Sequence, residues 1–181
     1  ANTLSTDGPY KIVPSPKMNF ARARRSIQEN RFPNFFIKST YQPNFKQLNM
    51  EFVPFPVDLG IVGYRVCFAH PEVADQLSNV GSLNDLRNFS HGQGIGWTDV
   101  KILRRNGFKV IEAGSYEGLF KMAANRHIDL FCRGVNELLD EYQSHRDINK
   151  RTYDKSIAIF YPLPRFLYTN KANTQALDRI K

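Results

Sequence analysis

Nowhere in this chain do about 18 apolar residues run together, the length a helix needs to cross a bilayer, so no membrane-spanning helix is expected. The first residues, ANTLSTDGPY, lack the charged and apolar blocks of a secretory leader. A mature exported chain would already have shed one, so that lack leaves the compartment open. Cysteine is scarce too: Cys67 and Cys132 sit singly in the apolar runs GYRVCFAH and IDLFCRG. Two buried free thiols are the expectation, with a disulfide between adjacent strands as the alternative. The histidines, His70, His91, His127 and His145, show no metal-ligand spacing, and neither Cys-x-x-Cys nor Gly-x-Ser-x-Gly occurs. No metal, cofactor or catalysis is therefore expected. Acidic residues are outnumbered, 17 against 25 Lys and Arg, for a net charge of +8. Such a charge permits nucleic acid, anionic lipid or acidic solutes and selects none of them. The basic residues are scattered, with RARR at 22–25 and LRR at 103–105 the only tight groups. A solvated face is expected rather than a nucleic-acid surface.

What is present argues for a folded chain. A hydrophobic content of 41%, with 14 Phe and 8 Tyr, excludes disorder. The length suffices for one large domain or two small lobes. YKIVPSP reads as a short strand closed by Pro14 and Pro16, and MNFARARRSIQEN as a helix with Phe20, Ala23 and Ile27 on one face. NFFIKST and GIVGYRVCFA read as strands. SLNDLRNF is a short helix with Ser82 as N-cap and Asp85 three residues on. A glycine-rich turn, HGQGIGWTD, leads into the helix TDVKILRRNG and the strand KVIEA. SYEGLFKMAANRHIDLFCRG then carries an amphipathic helix into a buried strand, linked only by Asn125-Arg126-His127. VNELLDEYQS is helical, KSIAIFY is a strand, and NTQALDRIK begins a last helix. This alternation means an α/β fold with largely parallel strands. No internal repeat or low-complexity linker interrupts it.

Ligands in open α/β sheets bind outside the carboxyl ends of the strands, so the polar residues that matter are sought there. Ser39 and Thr40 follow NFFIK, and Arg133, Gly134 and Asn136 follow IDLFC. In HGQGIGWTD, Gln93 and three glycines precede a helix that starts near Thr98. Free backbone N–H groups at that start suit an anionic or carbonyl-bearing ligand, and a tight strand–helix turn is the plainer reading. The motif is neither a phosphate loop nor GxGxxG. Trp97, the one tryptophan, serves either as a core anchor or as a ring stacked on a ligand. Arg133 either grips a carboxylate or phosphate in two-pronged fashion or pairs with Glu137 or Asp140 on the next helix.

The order of elements resembles the type 2 periplasmic (extracellular) solute-binding proteins, the substrate-binding parts of ABC transporters. In the first half the resemblance lies in a helix, Gln-Glu-Asn-Arg, a strand, Ser-Thr and a proline-interrupted loop into GYRV. In the second, GSLNDLRNF resembles the family's "sl-x-DL" helix, and LFKMAANRHIDLF its L-x-x-x-R-x-D, with Arg126 and Asp129. IAIFYPLPRFLYTNKAN resembles the return strand, so the match runs over residues 9–181.

The resemblance implies two lobes of mixed sheets flanked by helices, 1–67 plus 156–181 and an inserted 68–155, without the family's first strand and helix. It implies capture of a small polar or anionic solute in the cleft between lobes, for a membrane transporter or a sensor. An exported, periplasmic or extracellular protein is expected, as a monomer or a strand-swapped dimer. Tyr116 and Ser115 would face the cleft, Ser115 as an N-cap. Arg65 would be a ligand contact or an ion pair between lobes. Amino-acid-binding members carry an arginine in T-x-E-R. Here STYQPNFKQ offers only Lys46, so an α-amino acid ligand does not carry over. The alternatives are the effector-binding domain of a regulator, though no helix-turn-helix precedes it, and a basic nucleic-acid-binding protein.

Overall fold

Strands and helices alternate along the computed structural model, which describes residues 11–180. The chain divides into two compact units, Ala1–Gly60 with Leu163–Lys181, and Ile61–Pro162. Lobe boundaries at 67/68 and 155/156 were expected. The observed divisions leave the whole strand around Cys67 in the second unit, where all of its pairing partners lie.

In the first unit, α1 (Phe20–Gln28) opens on Asn19, whose side chain accepts from the Arg22 N–H, and buries Ala23, Ser26 and Ile27 at helical spacing. The strands β1 (Ile37–Thr40), β2 (Met50–Phe52) and β9 (Arg165–Asn170) form an antiparallel sheet with β9 central. Ile27, Phe45, Met50 and Tyr168 form a core cluster in this unit, and Leu177 is the buried residue of α7 (Thr174–Ile180). The strand expected at 10–16 is not formed over its described residues, and Ile12 and Val13 stay exposed. Pro14 and Pro16 offer no N–H to a ladder.

The second unit holds β3 (Tyr64–Ala69), α2 (Pro71–Leu77), α3 (Leu83–Leu86), β4 (Ser90–Gly94), α4 (Thr98–Arg105) and β5 (Lys109–Ala113). It continues through α5 (Tyr116–Ala124), β6 (Phe131–Gly134), α6 (Leu138–Ser144), β7 (Thr152–Tyr153) and β8 (Ile159–Phe160). β3 pairs antiparallel with β6, β7 and β8. β4 and β5 are parallel, and one parallel bridge, His91 to Leu130, joins β4 to β6. The expected predominance of parallel strands is therefore corrected. Only strands linked through helical crossovers run parallel, and those reached by loops or long returns pair antiparallel.

Side chains alternate across this sheet. Phe68 and Phe131 meet Leu119, Phe120, Ala123 and Ile128 on the α5 face. On the other face, Arg65 reaches Asp99 of α4, and His91 packs on Phe108. Cys67 and Cys132 oppose each other in register and are joined by a disulfide, so the expected free thiols are corrected. The link between α5 and the next strand turns on Arg126 at φ 59°, and the ladder of β6 starts at Phe131, later than Ile128. Sequence patterning missed β2 and β7, because two- and three-residue strands carry no periodicity, and it also missed the helix α2.

Candidate functional site

The glycine-rich segment before α4 is half strand. Gly92 and Gly94 lie in β4, where a Cβ on Gly92 would collide with Ile128 and Leu119, and one on Gly94 with the Trp97 ring. Small residues are needed here because neighbouring side chains pack directly on the backbone. The turn itself is Gly96, at φ 80°. Trp97 then folds back over Gly94 and stands just before α4, making no side-chain cap. Its ring leans on Phe131 (centroids 6.3 Å apart) and packs against the α5-side core, so it is a core anchor at a strand exit.

Arg133 leaves the end of β6 on the same face. Its guanidinium lies 5.0 Å from the Trp97 ring centre, 5.5 Å from that of Tyr116 and 5.8 Å from that of Phe131. Nε donates to both Glu141 oxygens at 2.9 Å. Nη2 reaches Glu141 Oε1 at 2.7 Å and Glu137 Oε2 at 3.1 Å. Burial works against this charge, but the Glu141 hydrogen bond and the two carboxylates outweigh it, and the Arg133 pKa is raised. Tyr116 is also pushed up, by burial first and then by Glu141. Of the two sequence readings, the helix pairing is what forms, with Glu141 in place of Asp140. Two carboxylates against one guanidinium leave the cluster at about −1, so Arg133 is no ready-made anion clamp. Gly134 is glycine for packing reasons, since a Cβ would sit 2.8 Å from Val62 and from Asn136.

The structure thus brings Trp97, Tyr116 and Arg133 together at the exits of β4, β5 and β6. Ile95 N–H bonding to the Ala113 carbonyl at 3.1 Å ties the first two exits. Thr98 starts α4, and Asn136 is exposed beyond β6. Gln93 is fully buried on β4, with neither side-chain Oε1 nor Nε2 hydrogen-bonded to protein. Ser39 and Thr40 belong to β1 of the first unit, Ser39 buried with its hydroxyl on the Thr40 carbonyl at 3.3 Å. Arg65 is a correction. It is 2% exposed and pairs within its own unit with Asp99 at 2.8 Å, where Tyr161 also donates to Asp99 at 2.7 Å. That network is structural, and burial raises the Tyr161 pKa.

Patterning missed Glu141, Asp99 and Tyr161. The spacing of Glu137 and Glu141, four apart on one helix face and following an arginine, is the signal that could have found the first. Ser115 is an N-cap as expected, accepting from the Gly118 N–H at 3.0 Å. Asp129 accepts from the Ser90 N–H and hydroxyl, both at 2.7 Å, fixing the start of β4. His91 is buried, which lowers its pKa to about 4 against a smaller opposing pull from Asp129, so it is neutral. Among the described residues no His, Cys, Asp and Glu cluster could hold a metal ion.

By sequence, no protein-family model and no curated protein matches the chain. By structure it is similar to arginine-bound ArgBP of T. maritima in a mutant form, with TM-score 0.67, 15% identity, and coverage of 99% of this chain and 78% of that one. It is also similar to the substrate-binding protein of an amino acid ABC transporter (0.63, 14%, 99% and 75%). A third match is a histidine kinase sensor domain with similarity to periplasmic binding proteins (0.65, 12%, 88% and 65%). The likeness establishes the fold. The chain is built as a periplasmic-binding-protein-like α/β protein of the type 2 form that its element order resembles.

Proposed function

We propose that this chain is a solute-binding protein that captures a small polar solute at the strand exits of its second unit, for transport or sensing. The observation that carries the reading is the convergence of Trp97, Tyr116 and Arg133 from three strand exits into one cage. It occurs in a fold whose solved counterparts include substrate-binding proteins and a sensor domain. The Trp97 ring stands just after the end of β4, where open α/β sheets take their ligands. The function is binding, with no bond broken. An exported setting fits the Cys67–Cys132 disulfide, which persists in oxidising compartments.

A thermal-shift screen of amino acids, short peptides, sugars and organic acids tests the reading, with Trp97 emission recorded in parallel. One chemical class is expected to raise the melting temperature and alter the emission, and Trp97→Ala is expected to reduce that rise in melting temperature. A panel that moves neither signal would overturn it.

A further inference from the structure

We propose that Glu117 and His145 form a proton-operated latch that positions the Arg133 cage, holding it while a proton is bound and loosening it when the proton leaves. His145 closes α6 and is 7% exposed, its ring stacked on Phe120 with centroids 3.7 Å apart. Its two ring nitrogens face two oxygens. Nδ1 lies 2.8 Å from the Glu141 carbonyl, and Nε2 lies 2.6 Å from the Glu117 carboxylate. Both oxygens are acceptors. A neutral imidazole carries one N–H and can satisfy only one of them. Making both contacts takes an additional proton, on the ring or shared with Glu117.

The surroundings weigh on both sides. Glu117 of α5 supplies the opposing charge, and the carboxyl end of α6 favours a cation. Tyr116 of α5 presents its ring 5.9 Å away. Arg151 donates to the His145 carbonyl at 2.8 Å and brings a like charge that opposes the proton. Glu141 of α6 gives its carbonyl to His145 while its carboxylate holds Arg133.

That last pair of contacts connects latch and cage. Tyr116, next to Glu117 in the chain, touches both His145 and the Arg133 guanidinium. Arg133 in turn lies over Trp97. When the extra proton is lost, either Glu117 leaves the ring or the ring leaves the Glu141 carbonyl. Each of these contacts borders a residue that positions Arg133, so His145 and Glu117 are positioning residues. The latch goes beyond solute capture and its test needs no solute.

Trp97 is the only tryptophan, so its emission reports on the cage in the intact protein. Emission is followed between pH ~5.5 and ~8, where imidazoles titrate, in wild type, His145→Gln and Glu117→Gln, with far-UV circular dichroism confirming the fold. The wild type is expected to show a single one-proton transition, and both variants to lose it. A transition that survives in either variant, or a wild type without one, overturns the latch. Should His145→Gln fail to fold, Glu117→Gln decides alone, because the Glu117 side chain is 67% exposed and the change is nearly isosteric.

Discussion

Arg133 sits where a guanidinium has more than enough company: two carboxylates and three aromatic rings within reach. Removing it leaves Glu137 and Glu141 facing each other, partly buried, with no counter-charge. Arg133→Ala is therefore expected to cost about 3–5 kcal/mol of stability, the range for breaking a buried pair from one side. Arg133→Lys should recover only part of this, since an ammonium cannot make the two-pronged contact. Urea unfolding monitored at Trp97 measures both, and a loss under ~1 kcal/mol, the size of an exposed pair, would show the cluster to be ornamental. His91 gives a pH dependence with a definite sign. Unfolded, it takes up a proton near pH ~6.5; folded, burial delays this to about 4. Its stabilising contribution is thus complete above pH ~6.5 and lost as the pH falls toward 4, by up to about 3 kcal/mol. His91→Leu should flatten that acid limb of the stability curve.

Elements show how tightly local chemistry and packing are joined. Ser115 starts α5 by accepting the Gly118 N–H, and Ser115→Ala should cost about 1 kcal/mol, as for other N-caps. β4 depends instead on having no side chain. Gly92→Ala drives a methyl into Ile128 and Leu119, both buried, and should cost about 1–3 kcal/mol through overpacking. Chemical denaturation of the two variants tests both, and a neutral Gly92→Ala would mean that the α5 layer yields more easily than its close packing implies. The same crowding explains why HGQG is strand where sequence suggested a turn. Glycines signal flexibility locally, while the Ile128 and Leu119 side chains that Gly92 makes room for lie elsewhere in the chain.

On the scale of the whole molecule, the chain makes two units with separate cores, one around Phe45 and Tyr168, the other around Phe68 and Phe120. The disulfide lies wholly in the second, bridging residues 65 apart in sequence. Closing a loop of that length is worth about 4 kcal/mol in chain entropy. Reductant, or Cys67→Ala with Cys132→Ala, should therefore lower the temperature at which Trp97 becomes exposed. Unchanged melting at Trp97 under full reduction, confirmed by thiol titration, would refute this.

The sequence by itself determined where several helices begin. Ser82 and Ser115 cap the helices expected of them, and the apolar spacing of Ala23 and Ile27 names the buried face of α1. It also placed Trp97 and Arg133 at strand exits, because alternation and helix spacing act over a few residues and can be read from neighbours. The tertiary structure alone decided who meets whom. Asp99 meets Tyr161 across 62 positions, and Cys67 meets Cys132 across 65. Those choices follow from strand register and sheet order, which bring distant residues onto one face. No local rule carries that information, because a carboxylate, a thiol or a phenol looks the same in sequence whatever the fold later sets against it.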